Sequence, residues 1–167
     1  MFKLEFLKFE YEDNATPSKK HEQEHNIAYS LLDKMLKSIG ISKYEIIKNE
    51  NGKPFFKDIP LFFSISHTDG FCAVCINNSP IGIDCEKINV SYEEKIELFS
   101  NRYFVSNEIE LLKSSENKVL DFFKIWTGKE AYIKKFGLNG SYIKKIDTTK
   151  ENVETYIEGE YIISILK

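Results

Sequence analysis

Three short β-prone runs, 62–66, 71–76 and 81–86, follow one another with only Asp69-Gly70 and Asn77-Asn78-Ser79-Pro80 between them. Runs this close, punctuated by turn formers, read as three short strands. A sheet needs a cover, and amphipathic helices flank the three runs. Upstream, Pro17-Ser18 opens a stretch in which Ile27, Leu31, Leu32, Met35, Leu36 and Ile39 recur at helical spacing until Gly40. Downstream, helical patterns cover 91–99, 106–114 and 117–136. Further strands are predicted over 2–10, 44–48, 142–146, 153–157 and 161–166, with Asn51-Gly52 as a turn. The order is strand, long helix, strands, then strand, helices, strands. It predicts an α+β fold of two halves, 1–80 and 81–167.

Composition narrows the classes. A chain of 167 residues that is 42% hydrophobic and 14% aromatic can bury a core, which excludes disorder. A formal net charge of −3 excludes a globally basic nucleic-acid binder. That small value hides polarity: 84–116 holds eight acidic and four basic side chains, and 118–150 holds three acidic and eight basic. Such neighbours can hold a cation and an anion side by side. No apolar run approaches the roughly 18 residues of a membrane span. MFKLEFLKFE is too charged for a signal-peptide core. Three cysteines, an odd number, predict a reducing cytoplasmic setting without disulfides.

Two motifs read as structure. His21-Glu22-Gln23-Glu24-His25 matches H-E-x-x-H, but its flanks Ser18, Lys19, Lys20 and Asn26 are polar. It reads as a solvated first helical turn rather than a zinc site. Cys72-Ala73-Val74-Cys75 lies inside a strand pattern, where residues three apart face opposite sides. The pair reads as small core residues.

Two other stretches carry chemistry. In a strand over 81–86, Ile81, Ile83 and Cys85 share one face, and Gly82, Asp84 and Glu86 the other. Two carboxylates then lie about 7 Å apart beside a glycine that lets a ligand approach. The strand has either one wet face or a cation site. In the helix around Trp126, the apolar stripe Val119, Phe122, Trp126, Ile133, Gly137 includes Glu130. A carboxylate in such a stripe is paired or metal-bound. Lys134, one turn on, is either its ion-pair partner or a ligand for anions. Together Asp84, Glu86 and Glu130 suit a hard cation, Mg²⁺ or Mn²⁺, with Lys129 and Lys134 beside it for phosphate charge. Lys53, presented by Asn51-Gly52-Lys53-Pro54, belongs to a hairpin turn or to the site. Ser66 and His67 end a strand at a polar corner, where His67 caps a turn or donates to a phosphate. No Walker loop or dinucleotide fingerprint is present.

Taken in order, Asn51-Gly52-Lys53-Pro54, Phe63-Ser64-Ile65-Ser66-His67-Thr68, Ile81-Gly82-Ile83-Asp84-Cys85-Glu86-Lys87 and Trp126-Thr127-Gly128-Lys129-Glu130-Ala131-Tyr132-Ile133-Lys134 resemble the 4′-phosphopantetheinyl transferase superfamily, in its Sfp-like single-chain type. The resemblance implies a pseudo-dimer of two similar α+β halves with the site at their interface. It implies transfer of the phosphopantetheine arm of coenzyme A to a serine of an apo acyl, polyketide or peptidyl carrier protein, releasing adenosine 3′,5′-bisphosphate. By the same resemblance Asp84, Glu86 and Glu130 hold Mg²⁺ on the pyrophosphate. Glu130 takes the serine proton directly or through water, and Lys134 stabilises the pyrophosphate and its leaving group. Lys129 matches the lysine before the metal-site glutamate, His67 a histidine on the 3′-phosphate, and Lys53 a lysine near the same ligand. Ser66, beside His67, is a further coenzyme A contact. The expected partners are coenzyme A and a carrier, with neither nucleic acid nor membrane, and the chain is expected to act as a monomer.

Two departures stand out. Members of this type are usually longer than 167 residues, and the first helix, His21 to Leu36, has no arginine where the family often sets one toward the 3′-phosphate. The alternatives are a non-catalytic module binding coenzyme A or a carrier, whose mark would be a broken acidic set, and a Mg²⁺-dependent phosphoesterase.

Overall fold

The computed structural model describes residues 1–167. Its first sheet is built from β1 (Phe2–Lys8), β4 (Phe62–Thr68) and β5 (Phe71–Asn77), all antiparallel, in the order β1-β5-β4. β4 and β5 form a hairpin across the expected Asp69-Gly70 turn, and Gly70 takes φ +74°, a value costly for residues with a Cβ. β5 is buried along its whole length because β1 and β4 flank it and both its faces are covered. α1 (Pro17–Lys37) lies on this sheet. Thr16 accepts the Lys19 N–H at its start, and Pro17 fits the first turn, where no N–H is needed. Its Leu32, Met35 and Leu36 pack on Phe63, Val74 and Ile76. A small hairpin, β2 (Ile46–Lys48) and β3 (Pro54–Phe56), closes the edge of this core.

The second sheet holds β6 (Gly82–Lys87), β7 (Val153–Glu158) and β8 (Tyr161–Leu166), also antiparallel, in the order β6-β8-β7. In both sheets the first strand pairs with the last, and the strand before the last takes the other edge. Helices α2 (Ile96–Tyr103), α3 (Ser106–Lys113) and α4 (Lys118–Phe136) connect β6 to β7. Asn117 accepts the Leu120 N–H to start α4, and Gly137 ends it at φ +62°. The aromatic cluster Phe104, Phe122 and Phe123, with Ile96, Leu112 and Ile162, fills the space between these helices and the sheet.

The two sheets meet at β4 and β6. Ile83 N–H donates to Ser64 Oγ (3.1 Å) and Cys85 N–H to Ser66 Oγ (3.2 Å). One cluster joins both halves: Phe71, Ala73 and Cys75 of the first sheet with Ile81, Ile83, Cys85, Tyr161, Ile163 and Ile165 of the second. The α+β class is therefore the observed one. Cys72 and Cys75 are free, buried core residues, as expected.

Two expectations need correction. Residues 142–146 form no strand; Gly140–Lys145 is a 3₁₀ turn started by Asn139, whose side chain accepts the Ser141 N–H. The carbonyls of Ile143 and Ile146 are claimed by the Lys129 ammonium, so they are lost to any ladder. The stretch 91–99 is split into a 3₁₀ turn, Val90–Lys95, and α2. No helix is long and apolar enough to cross a membrane.

Candidate functional site

β6 alternates as its sequence predicts. Ile83 and Cys85 enter the shared core, while Gly82, Asp84 and Glu86 face α4. The helix comes so close that a Cβ on Gly82 would lie 1.9 Å from the Ala131 carbonyl oxygen and 2.5 Å from the Lys135 nitrogen. Only glycine allows this approach. It sets Glu130 and Lys134 of α4 beside Asp84 and Glu86 of β6.

Asp84 is 5% exposed. Its Oδ1 accepts from Ser66 Oγ (2.8 Å) and from Lys134 Nζ (2.7 Å). Its Oδ2 is buried with no partner, which is costly for a carboxylate oxygen. Burial, and then the Asp84 charge, push the Glu86 carboxyl up to about 7, against the opposing bond from Thr68 Oγ1 (3.3 Å). Burial and Asp84 also raise Glu130, with Lys134 opposing. Burial alone would lower Lys134; its bond to Asp84 more than offsets that and holds it as the ammonium. Three crowded acids share one lysine, an arrangement short of positive charge. Beside Glu86 and Thr68 opens a cavity of about 650 Å³ lined by Tyr92, Phe99, Phe122 and Trp126.

The other residues singled out by the sequence fall in different places. Lys53 lies in a cavity of about 240 Å³ with Phe63, Ser64 and Lys134, separate from the one that Glu86 lines. Its Nζ donates to the Lys135 carbonyl at the end of α4 (2.6 Å). The Asn51 amide donates to the Gly137 carbonyl (2.8 Å), so the turn is fastened to that helix end. His67 sits at the end of β4, and its Nδ1 meets Glu24 Oε2 at 3.1 Å.

Two residues expected to contact coenzyme A do not point to a ligand. Ser66 is buried at 5% exposure and its hydroxyl is fully engaged, donating to Asp84 while accepting from Lys134 and the Cys85 N–H. It positions the acid and the lysine. Lys129 is fully buried on the opposite side of α4, paired with Glu108 at 2.7 Å. A ligand phosphate cannot reach it. Glu108 went unnoticed in the sequence. It also accepts the Val105 N–H and both the N–H and hydroxyl of Thr148, making it a buried hub. The H-E-x-x-H stretch divides: His25 stacks on Tyr29, whereas His21 and Glu24 meet His67. That meeting required the distant histidine, which spacing within α1 does not reveal.

The α+β fold thus brings three crowded acids and one lysine together at the contact of β6 with α4, an arrangement that can hold a cation beside an anion. The comparisons with known proteins agree and are more specific. Residues 80–158 match the model of the 4′-phosphopantetheinyl transferase superfamily. The chain is 43% identical over 98 residues to 4′-phosphopantetheinyl transferase gsp of Aneurinibacillus migulanus, covering 58% of this chain and 39% of that protein. It is 36% identical over 96 residues to psf-1 of Bacillus pumilus, covering 55% and 39%. It is 31% identical over 118 residues to Sfp of Bacillus subtilis (strain 168), covering 64% and 50%. The resemblance to the 4′-phosphopantetheinyl transferase superfamily, of the Sfp-like type, is thereby shown. The chain spans two-fifths to one-half of the length of these relatives.

Proposed function

We propose that the protein transfers the 4′-phosphopantetheine arm of coenzyme A to a serine of an apo carrier protein. The observation that carries this reading is the buried, unpartnered Asp84 Oδ2 among Glu86 and Glu130, on a chain similar to phosphopantetheinyl transferases. An oxygen-only set with an orphaned buried oxygen and reluctant carboxyls fits a hard divalent cation. Asp84, Glu86 and Glu130 would hold Mg²⁺, or Mn²⁺, which when bound neutralises pyrophosphate charge and polarises the phosphorus.

The chain's own residues supply the rest. The carrier's serine oxygen forms a bond to the phosphorus that bears the pantetheine arm, and the bond from that phosphorus to the bridging oxygen breaks. Adenosine 3′,5′-bisphosphate leaves with the electron pair. Glu130, raised by burial, accepts the serine proton, and Lys134 offsets charge on the leaving phosphate. His67 and Lys53 would contact the rest of the coenzyme, and the aromatic cavity beside Glu86 suits an uncharged arm. No serine or cysteine of this chain is needed, since the nucleophile arrives on the carrier. β6 and α4 belong to one chain, so a single copy assembles the site and the protein acts as a monomer in the cytoplasm.

The test is incubation with coenzyme A, Mg²⁺ and an apo carrier, read by mass spectrometry. The carrier should gain one phosphopantetheine, and Glu130→Gln should slow this by about 100-fold or more. Unmodified carriers in the presence of a protein that binds coenzyme A would overturn the reading in favour of a binding module. Release of free phosphopantetheine without a carrier would overturn it in favour of a phosphoesterase.

A further inference from the structure

We propose that His21, Glu24 and His67 form a binding site for a first-row transition metal ion, with Zn²⁺ the best fit. The three donor atoms lie within 4.8 Å of one another. Glu24 Oε2 is 3.1 Å from His67 Nδ1 and 3.8 Å from His21 Nδ1. Ligands on a tetrahedral zinc ion, at metal distances of about 2.0–2.2 Å, stand about 3.4 Å apart. The observed separations bracket that value, so small side-chain rotations suffice to close the site.

The central acid is held from behind. The Tyr11 hydroxyl donates to Glu24 Oε1 and itself accepts the Gly70 N–H (2.9 Å). Glu24 is thereby fixed to the β4–β5 turn, next to the strand end that carries His67, as outer partners fix ligands in metal sites. The Glu24 side chain is 12% exposed and that of His67 22%, while His21 is 73% exposed. The site therefore has two anchored ligands and one that can swing to admit an ion, with solvent at the fourth position. Two imidazoles and one carboxylate suit Zn²⁺ and its neighbours and disfavour Mg²⁺ and Ca²⁺. The site is thus chemically distinct from the acids at Asp84. It joins the first turns of α1 to the end of β4, so an ion there acts as a clip between helix and sheet. In the metal-free protein His67 donates from Nδ1 to Glu24. An ion on Nδ1 moves that N–H to Nε2, the nitrogen left for any other ligand of His67. The inference goes beyond the transfer reaction and does not rest on it.

The test needs neither coenzyme A nor carrier. The full chain, stripped with a chelator and dialysed, is titrated with Zn²⁺ against a chromogenic zinc indicator and followed by thermal unfolding. One equivalent should bind and raise the unfolding temperature. His21→Ala and Glu24→Gln should each weaken binding at least about tenfold. His21 is largely exposed, and Glu24→Gln keeps the shape of the side chain and an oxygen that can accept from Tyr11, so circular dichroism should show both variants folded. His25→Ala should leave affinity unchanged. Absence of stoichiometric binding, indifference to Glu24→Gln, or equal loss in His25→Ala and His21→Ala would each overturn the proposal. The last result would assign the ion to the exposed histidine pair of α1 alone.

Discussion

Glu86 is where burial and charge pull hardest against ordinary behaviour. Its carboxyl stands at about 7 in the fold against 4.5 when unfolded, because it is buried beside Asp84. The folded chain therefore holds this proton more tightly, and the group favours folding only while it is protonated. That contribution is full below pH 4.5 and is lost as pH rises through 7, by at most about 3 kcal/mol. In chelator, the unfolding temperature should fall between pH 5 and 8 more steeply for wild type than for Glu86→Gln. Mg²⁺ at pH 8 should recover much of the wild-type loss, as differential scanning fluorimetry would show. Lys129 carries the opposite lesson. Its charge and Glu108 are both completely buried, so removing one leaves the other uncompensated. Lys129→Met should cost about 3–5 kcal/mol in denaturant unfolding, yet leave the coenzyme A affinity of the folded fraction unchanged. A signal for this inward position was present: Ile125, Lys129 and Ile133 follow helical steps of four, and both isoleucines are buried. What the sequence could not reveal was the partner, since Glu108 belongs to another helix.

At the scale of elements, the site depends on how closely α4 lies on β6. Gly82→Ala sets a methyl group against backbone that cannot swing aside, unlike a side chain. The strand and helix must separate, at a cost of about 3 kcal/mol, the upper range for overpacking. Carrier modification should fall more than folded content does, because Glu130 and Lys134 move away from Asp84 together. Parallel measurement of circular dichroism and transfer rate separates the two effects. The glycine's face was legible, because alternation in 81–86 puts it with the carboxylates, but its task was not: the space kept open for a ligand is taken by the backbone of α4. Also legible were β4, β5, β6 and α4, where turn formers and periodicity agree. The 142–146 stretch was not legible. It has strand-like residues, but its carbonyls go to Lys129, a tertiary demand that overrides local preference.

For the whole molecule, the decisive contact is between sheets, and here sequence reasoning had the right residues with the wrong task. Ser66 reads from the sequence as a coenzyme A contact, and Ser64 only as part of the same strand motif. In the fold their hydroxyls take the Ile83 and Cys85 N–H groups, doing for β4 and β6 what carbonyls do inside a sheet. Nothing in residue spacing distinguishes a hydroxyl aimed at a ligand from one aimed at another sheet. The common core of Phe71, Cys75, Ile83, Cys85 and Ile163 completes the junction, so neither half can keep its inner face dry alone. The chain should therefore unfold in one cooperative step. Trp126, the only tryptophan, reports on the second half, while circular dichroism reports on both. The two urea transitions should coincide. Ser64→Ala orphans the N–H of fully buried Ile83 and should lower stability by about 1–3 kcal/mol, still with coincident curves. If the tryptophan signal of that variant moved ahead of the circular dichroism, the halves would be folding separately. The shared core would then be too weak to hold Asp84 of β6 against Ser66 of β4.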